Sequence, residues 1–140
     1  MQRTATWTRS ADDLRALLVD ARSRTLALVC DLDGERLLGP RLRIVNPPLW
    51  EVGHLGWFQE RWCLRYRRDG TLAPSLVPDA DVLYDSAAVP HDTRWSLPLP
   101  SLEATLAYLA RVLEHVLSRL DDAAGDPNLR YFVQLCAFHE

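Results

Sequence analysis

Asn46-Pro47-Pro48-Leu49-Trp50-Glu51-Val52-Gly53-His54-Leu55-Gly56-Trp57-Phe58-Gln59-Glu60 is the stretch whose reading decides the fold. Pro47 and Pro48 suit the first turn of a helix, where a missing N–H costs nothing. Asn46 is placed to cap that turn through its side-chain oxygen. Once helical, Trp50, His54, Trp57, Phe58 and Arg61 recur at spacings of three and four and share one face. An imidazole on the inward, aromatic face of a helix needs a partner. The comparable residue elsewhere is His139, at the far end of the sequence.

Upstream, Ser10 followed by Asp12 and Asp13 signals a helix start. Leu14, Leu17, Leu18, Ala21, Thr25, Leu28, Val29 and Leu32 then follow an amphipathic spacing, with Arg15, Asp20, Arg22 and Arg24 read as the solvent side. Asp33-Gly34 and Gly39-Pro40 break the pattern and leave a connector as far as Val45. Downstream, the second helix is predicted from about Pro48 to about Arg67, its C-terminus favoured by Arg65, Arg67 and Arg68. Between Gly70 and Pro100 no helical period survives. This loop of about 30 residues is longer than most connections and therefore reads as functional or disordered. Its Leu83, Tyr84, Val89, Trp95 and Leu97 predict that it packs. Ser101 caps a third helix with a stripe of Leu102, Leu106, Leu109, Leu113, Val116, Leu117 and Leu120. A fourth begins near Pro127 and turns Leu129, Phe132, Val133, Leu135, Cys136 and His139 inward. Its pattern is unfinished at Glu140, which predicts that helix and protein continue. The expected fold is an all-α four-helix bundle with a long loop between helices 2 and 3.

Bulk properties remove several function classes. The 140 residues, 48% apolar and 25% charged, suit one domain with one core. A net charge of −3 gives no general attraction to nucleic acid or an anionic membrane surface. No apolar run reaches the roughly 20 residues of a membrane span, and residues 1–7 lack the apolar core of a signal peptide. Cys30, Cys63 and Cys136 are scattered without a CxxC pair, which speaks against a disulfide framework or cysteine zinc site and fits a reducing cytoplasm.

Four histidines carry the chemical question. His115 sits beside Glu114 off the leucine stripe and reads as exposed. His91, beside Asp92 in the loop, reads as a brace or as part of a site. His54 and His139 fit two alternatives: core histidines bonded to backbone or water, or a metal site between facing helices. His139-Glu140 is the first half of H-E-x-x-H, a helix pattern that sets two histidines one turn apart on one metal. Glu51-Val52-Gly53-His54 supplies one E-x-x-H and no second copy exists, so a carboxylate-bridged di-iron site is not indicated. Glu51 and Glu60 read as solvated or paired with arginine. No Gly-rich phosphate loop or nucleophile elbow is present.

Pro48–Glu60 resembles the P-x-x-W-x-x-G-H-x-x-x-F/W-x-E signature of DinB-like domains in the ergothioneine and selenoneine synthase family. Tyr131–Glu140 resembles the segment leading into that family's H-E-x-x-H. The resemblance covers essentially the whole chain. It implies a mononuclear non-haem iron(II) enzyme that uses O₂ to join a sulfur or selenium donor to the imidazole of hercynine. It implies His54 and His139 as two of three iron ligands, the third lying four residues past His139. It also implies a C-terminal domain related to formylglycine-generating enzymes that completes the site. The Leu83–Pro100 loop looks most like the selenoneine branch. It begins Asp85-Ser86 and keeps only Arg94 of an arginine pair that would clamp a thiol substrate's carboxylates, whereas a selenosugar needs no such clamp. Asp85, His91 and Arg94 are the loop candidates for substrate contact. Two other readings stay open: a stand-alone DinB-like structural or dimerisation module, and a metal-dependent thiol transferase or hydrolase.

Overall fold

Ser10 starts the first helix with a reciprocal cap. Its hydroxyl accepts from the Asp13 N–H at 3.1 Å, and the Asp13 carboxylate accepts from the Ser10 N–H at 2.9 Å. The computed structural model describes residues 9–140, so the N-terminal stretch read above for a signal peptide lies outside the described residues. Helix α1 spans Ala11–Val29 and buries Leu14, Leu18, Arg22, Thr25 and Val29. This corrects the expected stripe at two places. Arg22, read as solvent-facing, is 4% exposed, whereas Leu28, read as buried, is 77% exposed. The inward line steps from Leu18 to Arg22 to Thr25, and the guanidinium is tolerated there because acceptors from other helices meet it.

Helix α2 spans Pro48–Glu60, with Pro47 as its N-cap and Pro48 in the first turn. Asn46 does not cap it. It stands one residue too early, and its amide is used otherwise: Oδ1 accepts from Arg94 at 2.8 Å and Nδ2 donates to Glu51 at 2.5 Å. The helix continues as a π turn over Arg61–Arg65, closed by the Tyr66 N–H on the Arg61 carbonyl at 2.9 Å. It stops there, short of the predicted Arg67, and Tyr66 pairs back with Leu72 in an isolated bridge.

The long connection is more ordered than its proline content suggested. It contains a short helix α3 (Ala80–Tyr84) and a 3₁₀ turn at His91–Trp95. Helix α4 spans Leu102–Asp122, capped by the Ser101 hydroxyl on the Ala104 N–H at 3.1 Å. Its buried line is Thr105, Tyr108, Leu109, Val112, Val116 and Leu120, rotated from the predicted leucine stripe. Helix α5 spans Pro127–His139 and buries Leu129, Val133 and Cys136.

The four long helices α1, α2, α4 and α5 form the bundle, with α2 packed chiefly on α4 and α5 on α1. Leu14, Leu18, Val52, Leu109, Val112, Val116, Leu120 and Val133 fill its core. Gly56 allows the α2–α4 approach, because a Cβ there would stand 2.6 Å from Leu109 Cδ1. A second cluster of Trp50, Trp57, Ala80, Leu83 and Tyr84 fastens α3 to α2. Among the described residues there is no strand, and no helix is long and apolar enough to cross a membrane. The all-α bundle expected from the sequence is the fold observed.

Candidate metal centre

The last carbonyls of any helix have no partner inside it. At the end of α3, two of them meet the aromatic face of α2. The Trp50 Nε1–H donates to the Leu83 carbonyl at 2.7 Å, and His54 Nδ1 lies 2.8 Å from the Tyr84 carbonyl. A carbonyl only accepts, so Nδ1 carries the proton and the lone pair of His54 sits on Nε2. The short helix is itself anchored. Arg65 forks onto Asp81 at 2.7 and 2.8 Å, and the Trp57 Nε1–H donates to the same carboxylate at 2.6 Å. Gly53 makes the seat possible: a Cβ there would fall 2.3 Å from the Tyr84 ring. The Gly-His pair in the motif therefore does two linked things. The glycine admits the Tyr84 ring, and the histidine then reaches the Tyr84 carbonyl.

His139 arrives from the last turn of α5. Its ring stacks on Phe58 at 3.9 Å and meets the edge of the His54 ring at 5.1 Å. Trp50 and Trp57 stack on His54 at 4.9 and 5.5 Å. Burial pushes both imidazoles below the ordinary histidine range, and His54 lowers His139 further. Neutral imidazoles are the form that binds metal, and a second nitrogen bonded to a carbonyl is the usual support of a ligand histidine. The chemistry of the pair therefore suits a divalent metal. Among the described residues no group of three metal-ligating side chains comes together.

The loop candidates lie around this pair in different ways. Arg94 is buried, with its guanidinium 4.0 Å over the Trp50 ring and its donors on Asn46 at 2.8 Å, Val89 at 2.9 Å and Ser86 at 3.2 Å. His91 bonds the Val45 carbonyl at 2.6 Å through Nε2 and packs against Trp95. Both hold the loop to the start of α2. Asp85 follows directly on Tyr84; its Oδ1 accepts from the Ala87 N–H at 3.0 Å, and its charge raises the affinity of His54 for a proton. His115 is exposed, as read.

Two carboxylates differ from the sequence reading or extend it. Glu60 is neither solvated nor paired with arginine. It is 1% exposed and accepts from Ser75 at 2.8 Å, the Leu76 N–H at 2.5 Å and the Tyr108 hydroxyl. It closes the turn after α2 onto α4. Glu140 accepts from buried Arg22 at 2.9 Å. The thiols of Cys63 and Cys136 face each other at 3.7 Å in the core, where that contact and burial push the Cys136 thiol well above its ordinary range. Such thiols are inert. Composition could not reveal the Tyr84 carbonyl as partner of His54. Arg22 falls on the spacing of Leu14, Leu18, Thr25 and Val29, but the acceptors that allow its burial lie on other helices.

Residues 17–140 match the DinB superfamily. Over 117 residues the chain is 37% identical to the hercynine oxygenase of Mycolicibacterium thermoresistibile, covering 81% of this chain and 25% of that protein. It is 35% identical to the hercynine oxygenases of Mycolicibacterium smegmatis and Mycobacterium tuberculosis, over 114 and 112 residues, covering 79% of this chain and 26% of each. The chain thus spans about a quarter of the length of the curated relatives it matches. With an all-α bundle, a motif helix carrying His54 and a match over nearly its whole length, the chain belongs to the DinB superfamily.

Proposed function

We propose that this chain is the iron(II)-binding part of an O₂-dependent oxidoreductase that forms a carbon–selenium bond on the imidazole of hercynine. The observation that carries the reading is the histidine pair: two neutral imidazoles 5.1 Å apart in an aromatic wall, one of them oriented by a backbone carbonyl. Similarity to proteins named hercynine oxygenase supports the substrate. In this reading the third ligand and a formylglycine-generating-enzyme-like domain come from sequence beyond Glu140. Iron(II), when bound, supplies the O₂ and redox chemistry. This chain would keep the imidazoles neutral by burial, orient His54 through the Tyr84 carbonyl, stack His139 on Phe58 and exclude water with Trp50, Trp57 and Phe58.

The donor proposed is a selenosugar rather than a dicarboxylate thiol. Arg94 is committed inside the chain, so this loop offers no paired arginine fork for carboxylates. Arg94 and His91 act on substrate through the loop they hold. Asp85, which follows the residue whose carbonyl bonds His54, is the one of the three we assign to direct contact. Glu140 is occupied by Arg22, which weighs against a hydrolase using it as a base. The test is turnover by the complete natural chain, loaded with iron(II), given hercynine and either donor. A selenium-bearing product is expected. Product from the thiol alone overturns the donor, and no modification of hercynine with either donor overturns the function.

A further inference from the structure

Arg22 is a buried cation on which all four long helices converge. From α1 its Nε donates to Glu140, next to the end of α5, at 2.9 Å. One terminal nitrogen donates to the Leu109 carbonyl of α4 at 2.7 Å, and the other to the Gln59 side-chain oxygen of α2 at 3.1 Å. The Arg22 and Glu140 side chains are 5% and 3% exposed. Stability alone is a weak reason for such a pair, since buried ion pairs are often replaced by apolar side chains without loss. A rigid guanidinium fork that engages three partners does fix their relative placement. Glu140 is the residue after His139, so whatever holds its carboxylate also sets the rotation of the last turn of α5.

We infer that the Arg22–Glu140 pair is a positioning device that sets the rotation of α5 and so presents His139 to His54. A rotation of about 20° would carry a ring about 6 Å from the helix axis through roughly 2 Å. Metal sites tolerate only about 0.5 Å of ligand misplacement. The consequence for metal rests on the reading of His54 and His139 as ligands; the placement of the His139 ring does not.

The experiment uses the complete natural chain as wild type, Glu140→Gln, Glu140→Ala and the double variant Arg22→Met with Glu140→Leu. The double variant leaves no unpaired buried charge and therefore keeps the inference testable if Glu140→Ala fails to fold. Two readouts are taken: the ring-proton NMR shifts of metal-free His139, displaced by the stacked Phe58 ring, and titration with Co²⁺ followed by its visible absorption. Glu140→Ala and the double variant are expected to lose the Phe58 displacement and to bind Co²⁺ on the order of 10- to 100-fold more weakly. Glu140→Gln is expected to fall between. Wild-type His139 shifts in the folded double variant overturn the inference, even if its thermal midpoint has moved. A wild-type chain that binds no Co²⁺ through histidine sinks the metal reading instead, and the NMR arm still decides the inference.

Discussion

Gly53→Ala tests the seat of His54 without touching the histidine. The new Cβ would lie 2.3 Å from Tyr84 Cε1 and Cζ and 2.6 Å from its hydroxyl oxygen. Carbon contacts settle near 3.5–4.0 Å, so the overlap is roughly 1.2–1.7 Å. The Tyr84 ring cannot swing aside cheaply, because it is 1% exposed and packed with Trp50, Trp57 and Leu83. Overpacking of this kind costs about 1–3 kcal/mol. Alanine returns about 1 kcal/mol through helix propensity, which leaves a net loss of about 0–2 kcal/mol. The displaced ring also carries the Tyr84 carbonyl away from His54 Nδ1, so the substitution should weaken Co²⁺ binding as well as stability. Gly125 is the internal control: a Cβ there meets nothing within 4 Å, and its φ is open to any residue. Gly125→Ala should be neutral or stabilising by up to about 1 kcal/mol. Chemical denaturation and Co²⁺ titration of the complete natural chain measure both effects. If Gly53→Ala matches Gly125→Ala in both assays, the tyrosine seat does not orient His54.

Other outcomes follow from the same contacts. The Arg65 fork and the Trp57 N–H hold the Asp81 carboxyl down at about 2, against an ordinary 3.8. Its stabilisation is therefore complete above pH 3.8 and lost as pH falls through about 2. Asp81 is half exposed, so solvent screening reduces the effect to about 1 kcal/mol, and Asp81→Asn should flatten the acid limb of a stability–pH curve by that amount. An unchanged acid limb would rule out the Arg65–Asp81 anchor of α3. Glu60→Gln removes the buried charge and keeps one oxygen for the Leu76 N–H, but sets an amide NH2 where Oε2 accepts from the Ser75 and Tyr108 hydroxyls. It should cost roughly 2–4 kcal/mol in urea denaturation, and a loss below about 0.5 kcal/mol would mean that the carboxylate is not holding the turn. Trp50→Phe keeps the stacking on His54 but loses the bond to the Leu83 carbonyl. About 1–2 kcal/mol should be lost, and a variant as stable as wild type would remove that bond from the account.

How much of this was legible in the chain differs from element to element. The helices at Ser10, Pro48, Ser101 and Pro127 announce themselves by local chemistry, a cap or a first-turn proline followed by periodic apolar residues, and local signals survive without knowledge of the partner surface. The positions of Arg22 and Glu60 are set by partners far along the chain. Each is a charge whose burial depends on acceptors or donors that no window around it contains. Asn46 shows the same limit on a smaller scale: it is a good capping residue, but Arg94 and Glu51 compete for its amide and win. In the loop, Leu83, Tyr84 and Trp95 correctly indicated packing, whereas the helix at Ala80–Tyr84 was obscured by the prolines around it. For the site, the aromatic face and His54 could be read from spacing, and His139 from its inward position. The carbonyl that orients His54 belongs to the backbone, and backbone acceptors carry no residue signature.

The central claim is that His54 and His139 hold one metal ion together. The most direct measurement is the iron content and iron(II) affinity of the complete natural chain as wild type, His54→Ala and His139→Ala, each checked for native fold by circular dichroism. The account predicts stoichiometric iron in wild type and a loss of affinity of at least about tenfold in each variant. Equal iron content in all three folded proteins would contradict it.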